Sequence, residues 1–438
     1  MAGNRRAPST LPNEPEPGDV EGCLRYLVSG LAVASDRTGR PGRPPVVPAL
    51  CVWGGLLVCV LNGFSSQLEL WRLLSQTGLW EYERYDVSDQ AIYYRLGRDG
   101  TTALLGLFHD VNQLLGTRLD PYLPQLVADL APFATDIVAI DETTLDPVAR
   151  RLPGRDGDPP AQRRLPGKLA GVFDLRRQQW RRFELIAEST QNEKVAARGL
   201  LDGLARGTLV VADLGYFGFA WFDTLSNRGL WYVSKLRQRT SYRVVQTFSQ
   251  HGDTFDGLVW LGAYRSDQAE HLVRLVQYRH GRELRQYITN VRDPRQFPLA
   301  DIVAVYGRRW DIEIAIRLIK QHLGLHVWWS SKDVVIQQQL IAVLIIAQIL
   351  QALRLEIAAR AKVEIFEVSM ALLVRYLPRF AARGEDPIAV FVARGRAAGF
   401  IRLSRRIHYD TPDPPLALAE SIATSIPITR TPRYAGKA

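Results

Sequence analysis

Apolar residues recur with helical spacing from Glu21 to about Gln125. Within that stretch Ser66-Gln67-Leu68-Glu69 has the form of a capping box opening the run LELWRLL, and Ser88 stands where it would cap a short helix through Leu96. From Thr135 the pattern changes. DIVAI, KLAGVFDL and RRFELIAE read as three strands with polar breaks, followed by a helix near Lys194–Leu204. A strand (TLVVA), a helix from about Phe217 to Ser226 and a strand (WYVSK) come next. Residues 237–298 hold further strand-like pieces, YRVVQTF, GLVWLGAY, HLVRLVQY and LRQYITNV, with His280-Gly281 as a hairpin turn between the last two. After Pro298 the pattern is helical to about Leu377, and a tail containing Gly, Pro and Arg closes the chain.

The order three strands, helix, strand, helix, strand is that of a ribonuclease-H-like α/β domain, and several other α/β folds share it. The expected fold class is α/β: a domain of this ribonuclease-H-like order interrupted by a β-rich insertion, with helical N-terminal and C-terminal regions. The boundaries that follow are a disordered lead at 1–20 and a helical region at 21–130. The α/β domain takes 131–236 and 299–350, the insertion 237–298, and a helical region with tail 351–438. Proline-rich, polar composition marks the lead, and the loop at 146–167 carries five arginines.

At 438 residues and 47% apolar side chains the chain has material for a substantial core. Its formal charge of +10 favours a polyanionic partner. Almost all the basic residues are Arg, which suits bidentate phosphate contacts and equally suits a GC-rich genome. Cys23, Cys51 and Cys59 cannot build a disulfide framework, and the last two sit in an apolar run as expected of buried thiols in a reducing compartment. The N-terminus shows no apolar signal region, and Ala49–Leu61 and Leu340–Leu350 are shorter than a bilayer span, so the expectation is a cytoplasmic protein with no membrane partner.

The richest chemistry lies in the segment from Tyr306 to Lys320. On one continuous helix, at about 100° per residue, Tyr306, Arg309, Glu313 and Lys320 would fall within roughly 60° of one another. Ile312, Ala315, Ile316, Ile319 and Leu323 would occupy a different, packing face. A solvated polar stripe would give the same pattern. One acid between two bases and a tyrosine is also what a metal site beside a phosphodiester needs. A pair of divalent ions needs two or three carboxylates. Asp141 at the end of DIVAI and Asp213 at the end of TLVVA are the candidates, because acids at the C-terminal ends of adjacent parallel strands open into one crevice.

The spacing Tyr306-x2-Arg309-x3-Glu313-x6-Lys320 resembles the Y-R-E-K signature of DDE transposases of bacterial insertion sequences. AIDETTL, with Asp141, Thr143 and Thr144, resembles that family's first acidic element. VVADLGYFG, with Asp213, Gly215 and Tyr216, resembles the second, and YITNV ahead of YGRRWDIE also fits. Glu142 departs from the small residue common there and could crowd or tune the site. The resemblance covers about residues 135–330. It implies a transposase that cuts insertion-sequence ends and joins them to target DNA by a cut-and-paste route, with a hairpin intermediate as a further implication of the family. Asp141, Asp213 and Glu313 would hold two Mg²⁺ or Mn²⁺ ions, and Tyr306, Arg309 and Lys320 would position phosphates. The implied partners are element-end DNA with inverted repeats, target DNA and a second copy in a homodimer.

Other features carry alternatives. The resemblance implies a Trp on the insertion that stacks on a displaced base; Trp260 is the Trp available, and core packing is the competing role. Arg40 and Arg43, spaced by Gly and Pro, form either a minor-groove arm or a Pro-rich linker. Ser88–Leu96 with Arg95 is a recognition helix or a plain packing helix. His322-x3-His326 has metal-ligand spacing, but Gly324 between them and the lack of a third ligand argue against zinc. No nucleotide-binding fingerprint is present, so no nucleotide cofactor is expected. A metal-dependent nuclease without strand transfer, and a DNA-binding protein derived from a transposase, are the alternative functions.

Overall fold

The computed structural model describes residues 20–36, 45–123, 130–145, 167–186, 193–262, 268–325, 327–330, 332–404 and 426–432. Arg40, Arg43, His326 and residues 146–166 lie outside the described residues. The chain divides into two compact units. One comprises the described residues within 1–126, 144–167 and 315–404; the other comprises those within 127–143, 168–314 and 405–438.

The first unit is helical. Helices α1 (Val20–Asp36), α2 (Ala49–Leu61), α3 (Gln67–Arg72), α4 (Asp89–Asp99) and α5 (Thr102–Leu119) occupy its N-terminal part. Ser88 caps α4 as expected, its Oγ accepting from the Ala91 N–H at 3.3 Å. The capping box at Ser66 does not close: the Ser66 side chain makes no cap bond, and Glu69 pairs with Arg72 one turn on instead of reaching back. Arg95 is committed internally, to Asp99 and, at 2.9 Å, to the Val47 carbonyl.

In chain order α6 (Glu193–Leu200), α7 (Phe219–Asn227), α8 (Leu299–Gly307) and α9 (Trp310–Arg317) follow, then α10 (Asp333–Ala361), α11 (Met370–Ala381) and α12 (Pro387–Arg394). The 29-residue α10 is apolar on every side and long enough to cross a membrane, yet its apolar stretch is wholly buried. A helix without a polar face is a core helix when others surround it, and α10 packs against α2, α5, α11 and α12. Some of its buried polar groups are matched: Gln338 Nε2 donates to the Leu96 and Gly100 carbonyls, and Glu356 accepts from Arg118 at 2.9 Å, while Gln338 Oε1 and Gln351 Oε1 accept no hydrogen bond.

The second unit is built on a nine-stranded mixed sheet of order β3-β2-β1-β4-β5-β9-β8-β7-β6. The strands are β1 (Ile137–Thr144), β2 (Lys168–Asp174), β3 (Gln179–Ile186), β4 (Leu209–Ala212), β5 (Trp231–Lys235), β6 (Tyr242–His251), β7 (Thr254–Leu261), β8 (Val273–His280) and β9 (Glu283–Thr289). β1, β4 and β5 run parallel; β2 with β3, and β5 through β9 to β6, pair antiparallel. The strands of 237–298 therefore continue the same sheet through β9, with Gly281 at φ +58° in the hairpin turn between β8 and β9. Alternation along β1 and β4 sends Val138, Ile140, Val210 and Ala212 into a core with Ala197 and Leu200 of α6 and Phe222 and Leu225 of α7.

The sequence implied one helix from Tyr306 to Lys320; the chain breaks it at Arg308–Arg309, between α8 and α9, and ends it in a π-helical turn, Leu318–His322. The cause is Asp311, fully buried, which accepts from Arg308 Nε at 2.6 Å and from Gln178 Nε2 at 2.8 Å. Arg308 also donates to the Leu175 carbonyl at 2.9 Å, tying the helix junction to the β2–β3 turn. Most of the expected packing face survives the break, with Ile312, Ala315, Ile319 and Leu323 buried and Ile316 half-buried.

Asp311→Ala leaves the Arg308 charge without its carboxylate and should cost about 3–5 kcal/mol of stability. A urea titration followed by circular dichroism measures it; a loss below about 1 kcal/mol would show that the junction does not depend on this pair.

Candidate functional site

The register of the parallel strands brings the acids of β1 and β4 together. Ile137 lies opposite Leu209 and Ile140 opposite Ala212, so the next positions in line are Asp141 and Asp213. The same register continued onto β5, where Val211 faces Val233, sets Lys235 beside Asp213 in that row, and β9 adds Tyr287 opposite Lys235. Because Val138 and Ile140 face the α6–α7 core, Asp141 projects from the other face of β1. Glu142, one residue on, is out of that row: it pairs with Lys168 of β2, so it does not crowd Asp141.

Glu313, on the first turn of α9, is joined to this group by Arg309. The Arg309 guanidinium donates through Nη1 to Glu313 Oε1 at 2.7 Å and lies 3.7 Å from Asp213 Oδ1. Burial opposes the Arg309 charge, but Asp213, Tyr306 and Glu313 outweigh it and raise its pKa. Asp141 is pushed up to about 7, first by burial and further by Glu313 and Asp213; the Glu142 N–H at 2.8 Å and the Arg309 charge pull the other way. Three carboxylates thus lie near the positive charge of one guanidinium, and burial raises the pKa of Asp141.

Tyr306, near the end of α8, is buried, its ring 5.1 Å from that of Tyr287 and its hydroxyl bonded to Arg309; burial raises its pKa. Lys320, in the π-helical turn, donates to the Thr144 carbonyl at 2.5 Å, and burial lowers its pKa. Among the described residues no group of three or more His, Cys, Asp or Glu side chains is already drawn together as a metal cage; Arg309 stands among these acids. Trp260 is not a stacking platform: it is buried with Phe248, Leu258 and Leu272, and the Arg430 guanidinium covers its ring at 4.7 Å. Lys235 and Tyr287 went unnoticed in the sequence because only strand register places them in the row.

An α/β unit with acids gathered beside the ends of parallel strands is the class of protein this geometry defines, and comparison with known proteins narrows it. Residues 132–349 match the family model described as the transposase DDE domain. They form such a domain, and the chain belongs to that family. It is 25% identical over 167 residues to the Sinorhizobium fredii protein named "Putative transposase y4zB", covering 36% of this chain and 46% of that one. It is 32% identical over 77 residues to the transposase for insertion sequence element IS231F of Bacillus thuringiensis, covering 18% of this chain and 16% of that one. The chain thus spans less than half the length of either relative. A solved synaptic complex of piggyBac transposase with hairpin DNA aligns over 88% of this chain and 84% of its own, at 10% identity and a TM-score of 0.39.

The Asp141 environment sets a pH dependence. With its pKa raised from 3.8 to about 7, the folded protein binds more protons than the unfolded chain between those values, so stability falls as pH rises through that window. Metal-free protein in EDTA should lose roughly 2–4 kcal/mol between about pH 4 and about pH 8 from this group, and Asp141→Asn should remove that part of the slope. Urea midpoints measured across the window test it; identical slopes in parent and variant would place the raised carboxyl elsewhere.

Proposed function

We propose that this chain is a DNA transposase of the insertion-sequence type that cuts element ends and joins them to target DNA, with Asp141, Asp213 and Glu313 as ligands for Mg²⁺ or Mn²⁺. The observation that carries this reading is the row of Asp141 and Asp213 on neighbouring parallel strands, with Glu313 joined to it through Arg309. The strand order β3-β2-β1-β4-β5, with an antiparallel β2–β3 pair and parallel β1, β4 and β5, supports a ribonuclease-H-like core, and the strands of 237–298 would be its insertion.

The donor set fits a hard cation. All three groups are carboxylates, as Mg²⁺ and Mn²⁺ prefer, and burial first, then Glu313 and Asp213, pushes Asp141 up to about 7, a shift that a nearby cation would oppose. Two bound ions would supply Lewis acidity for the attacking and leaving oxygens of an in-line displacement. The protein's own part is electrostatic and positional. Asp141 sheds its proton as positive charge collects near it. Arg309, released from Glu313 and Asp213, offers a planar fork to a phosphate, and Tyr306 fixes where that fork starts. Lys320 adds a point charge near Thr144. Element ends, target DNA and a second copy of the chain are the partners this reaction requires, and the +10 charge favours the polyanions among them.

Asp141→Asn, Asp213→Asn and Glu313→Gln should each reduce Mn²⁺-dependent cutting of duplex from the DNA flanking the coding region to background. Binding of the same duplex in Ca²⁺ should stay within about threefold of the parent, since phosphate contacts are kept. A variant that still cuts is not a ligand. Precleaved ends incubated with a supercoiled plasmid separate a transposase, which joins them, from a nuclease, which does not.

A further inference from the structure

Lys235 stands one strand from Asp213 in the row of the proposed metal ligands, yet its ammonium is not neutralised. Among the described residues the Lys235 ammonium makes no ion pair and no hydrogen bond; it lies over the ring of Tyr306, 5.6 Å from the centroid. Asp213, its neighbour by register, is engaged with Arg309. A lysine kept for packing alone would bury its stem and send its head to water or to an acid. Here an acid is close by and another cation has taken it. Leu236 is buried in the core with α7, which fixes the backbone on which Lys235 stands.

The chain just beyond adds a second cation. Arg237 Nη2 donates to the Leu214 carbonyl at 3.2 Å, and its guanidinium lies over the Phe217 ring at 5.1 Å. The loop after Asp213 and the loop after Lys235 are thereby joined, and the Arg237 charge stays exposed. Two basic residues, two positions apart, border the carboxylates on the side away from Asp141. The order across the sheet is acid, acid, cation: a place for metal ions followed by a place for the anion they act on.

We propose that Lys235, supported by Arg237, binds the phosphodiester backbone of the DNA next to the bond being cut. The inference rests on the reading of Asp141, Asp213 and Glu313 as the metal site and adds the residues that hold the substrate's charge beside it. Lys235 acts as a point charge with three rotatable donors, suited to a backbone that shifts between cutting and joining. The Tyr306 ring faces the Lys235 ammonium, and Asp213 is already paired with Arg309.

The test uses the full chain and fluorescent duplex from the DNA flanking its coding region, in Ca²⁺. Lys235→Gln and Lys235→Met, the latter keeping an uncharged side chain of similar length, should each lower the slope of log affinity against log salt by about one. Each should weaken binding about tenfold at moderate salt, and Lys235→Arg should restore most of it. Neutral methylphosphonates flanking the cut should weaken the parent by a similar factor and the two variants no further. Thermal melts confirm that the variants fold. Folded variants with the parent's slope and affinity, or with the parent's full sensitivity to methylphosphonate, overturn the proposal. Asp141→Asn in the same preparations tells the failures apart: if it abolishes Mn²⁺-dependent cutting while the Lys235 variants bind like the parent, only the phosphate role fails. If it cuts normally, the metal-site reading fails as well.

Discussion

The in-register parallel pairing of β1, β4 and β5 is the constraint on which the rest depends. It sets Asp141, Asp213 and Lys235 side by side on neighbouring strands, at positions that none could reach alone. Placing two acids beside each other at the edge of an apolar sheet is costly, because burial removes the water that would solvate them and their charges repel. The structure meets that cost in two ways. Arg309 lies between Asp213 and Glu313, and Asp141, the most deeply placed of the acids, is pushed up to about 7. Burial is the first cause of that rise, and the charges of Glu313 and Asp213 add to it.

Arg309 also stands at the helix break, Arg308–Arg309. An unbroken helix would carry Arg309 round on the same spiral as Glu313. The break fixes it by a different route, through buried Asp311, Arg308 and the β2–β3 turn. Two neighbouring arginines thus pair differently: Arg308 with the buried Asp311, and Arg309 with Glu313 and Asp213. Adjacent arginines of identical chemistry are separated in role by burial and partner alone. The same division appears in the sheet, where Glu142 is neutralised by Lys168 while Asp141, one residue earlier, is left for the site.

Lys235 and Trp260 show how burial and register sort residues that look alike in a sequence. Trp260 has the ring a base would stack on, but it closes a small core under Arg430. Lys235 has no distinguishing motif, but it ends the strand next to Asp213 with its ammonium unpaired among the described residues. Composition could suggest a polyanionic partner; it could not say which cations were still available to meet one.

The sequence by itself determined the element order, the presence of the strands between Ile137 and Thr289, the Ser88 cap and most of the packing face, Ile312, Ala315, Ile319 and Leu323; strand ends were less legible, since β1 runs on to Thr144 and β7 starts at Thr254. These follow from local periodicity and turn chemistry, which neighbouring residues carry among themselves. It also singled out Asp141, Asp213 and Glu313, because acids at strand ends and on a polar helix face are visible as patterns. Only the tertiary structure decided that the strands of 237–298 continue the same sheet, that the Tyr306–Lys320 segment breaks, that Ser66 leaves its box open, and that Lys235 joins the row. Each of those depends on a partner distant in the chain: β5 for β9, Gln178 for Asp311, Asp213 for Lys235. Register and buried ion pairing are relations between segments, and a local pattern holds no record of which segment will lie opposite.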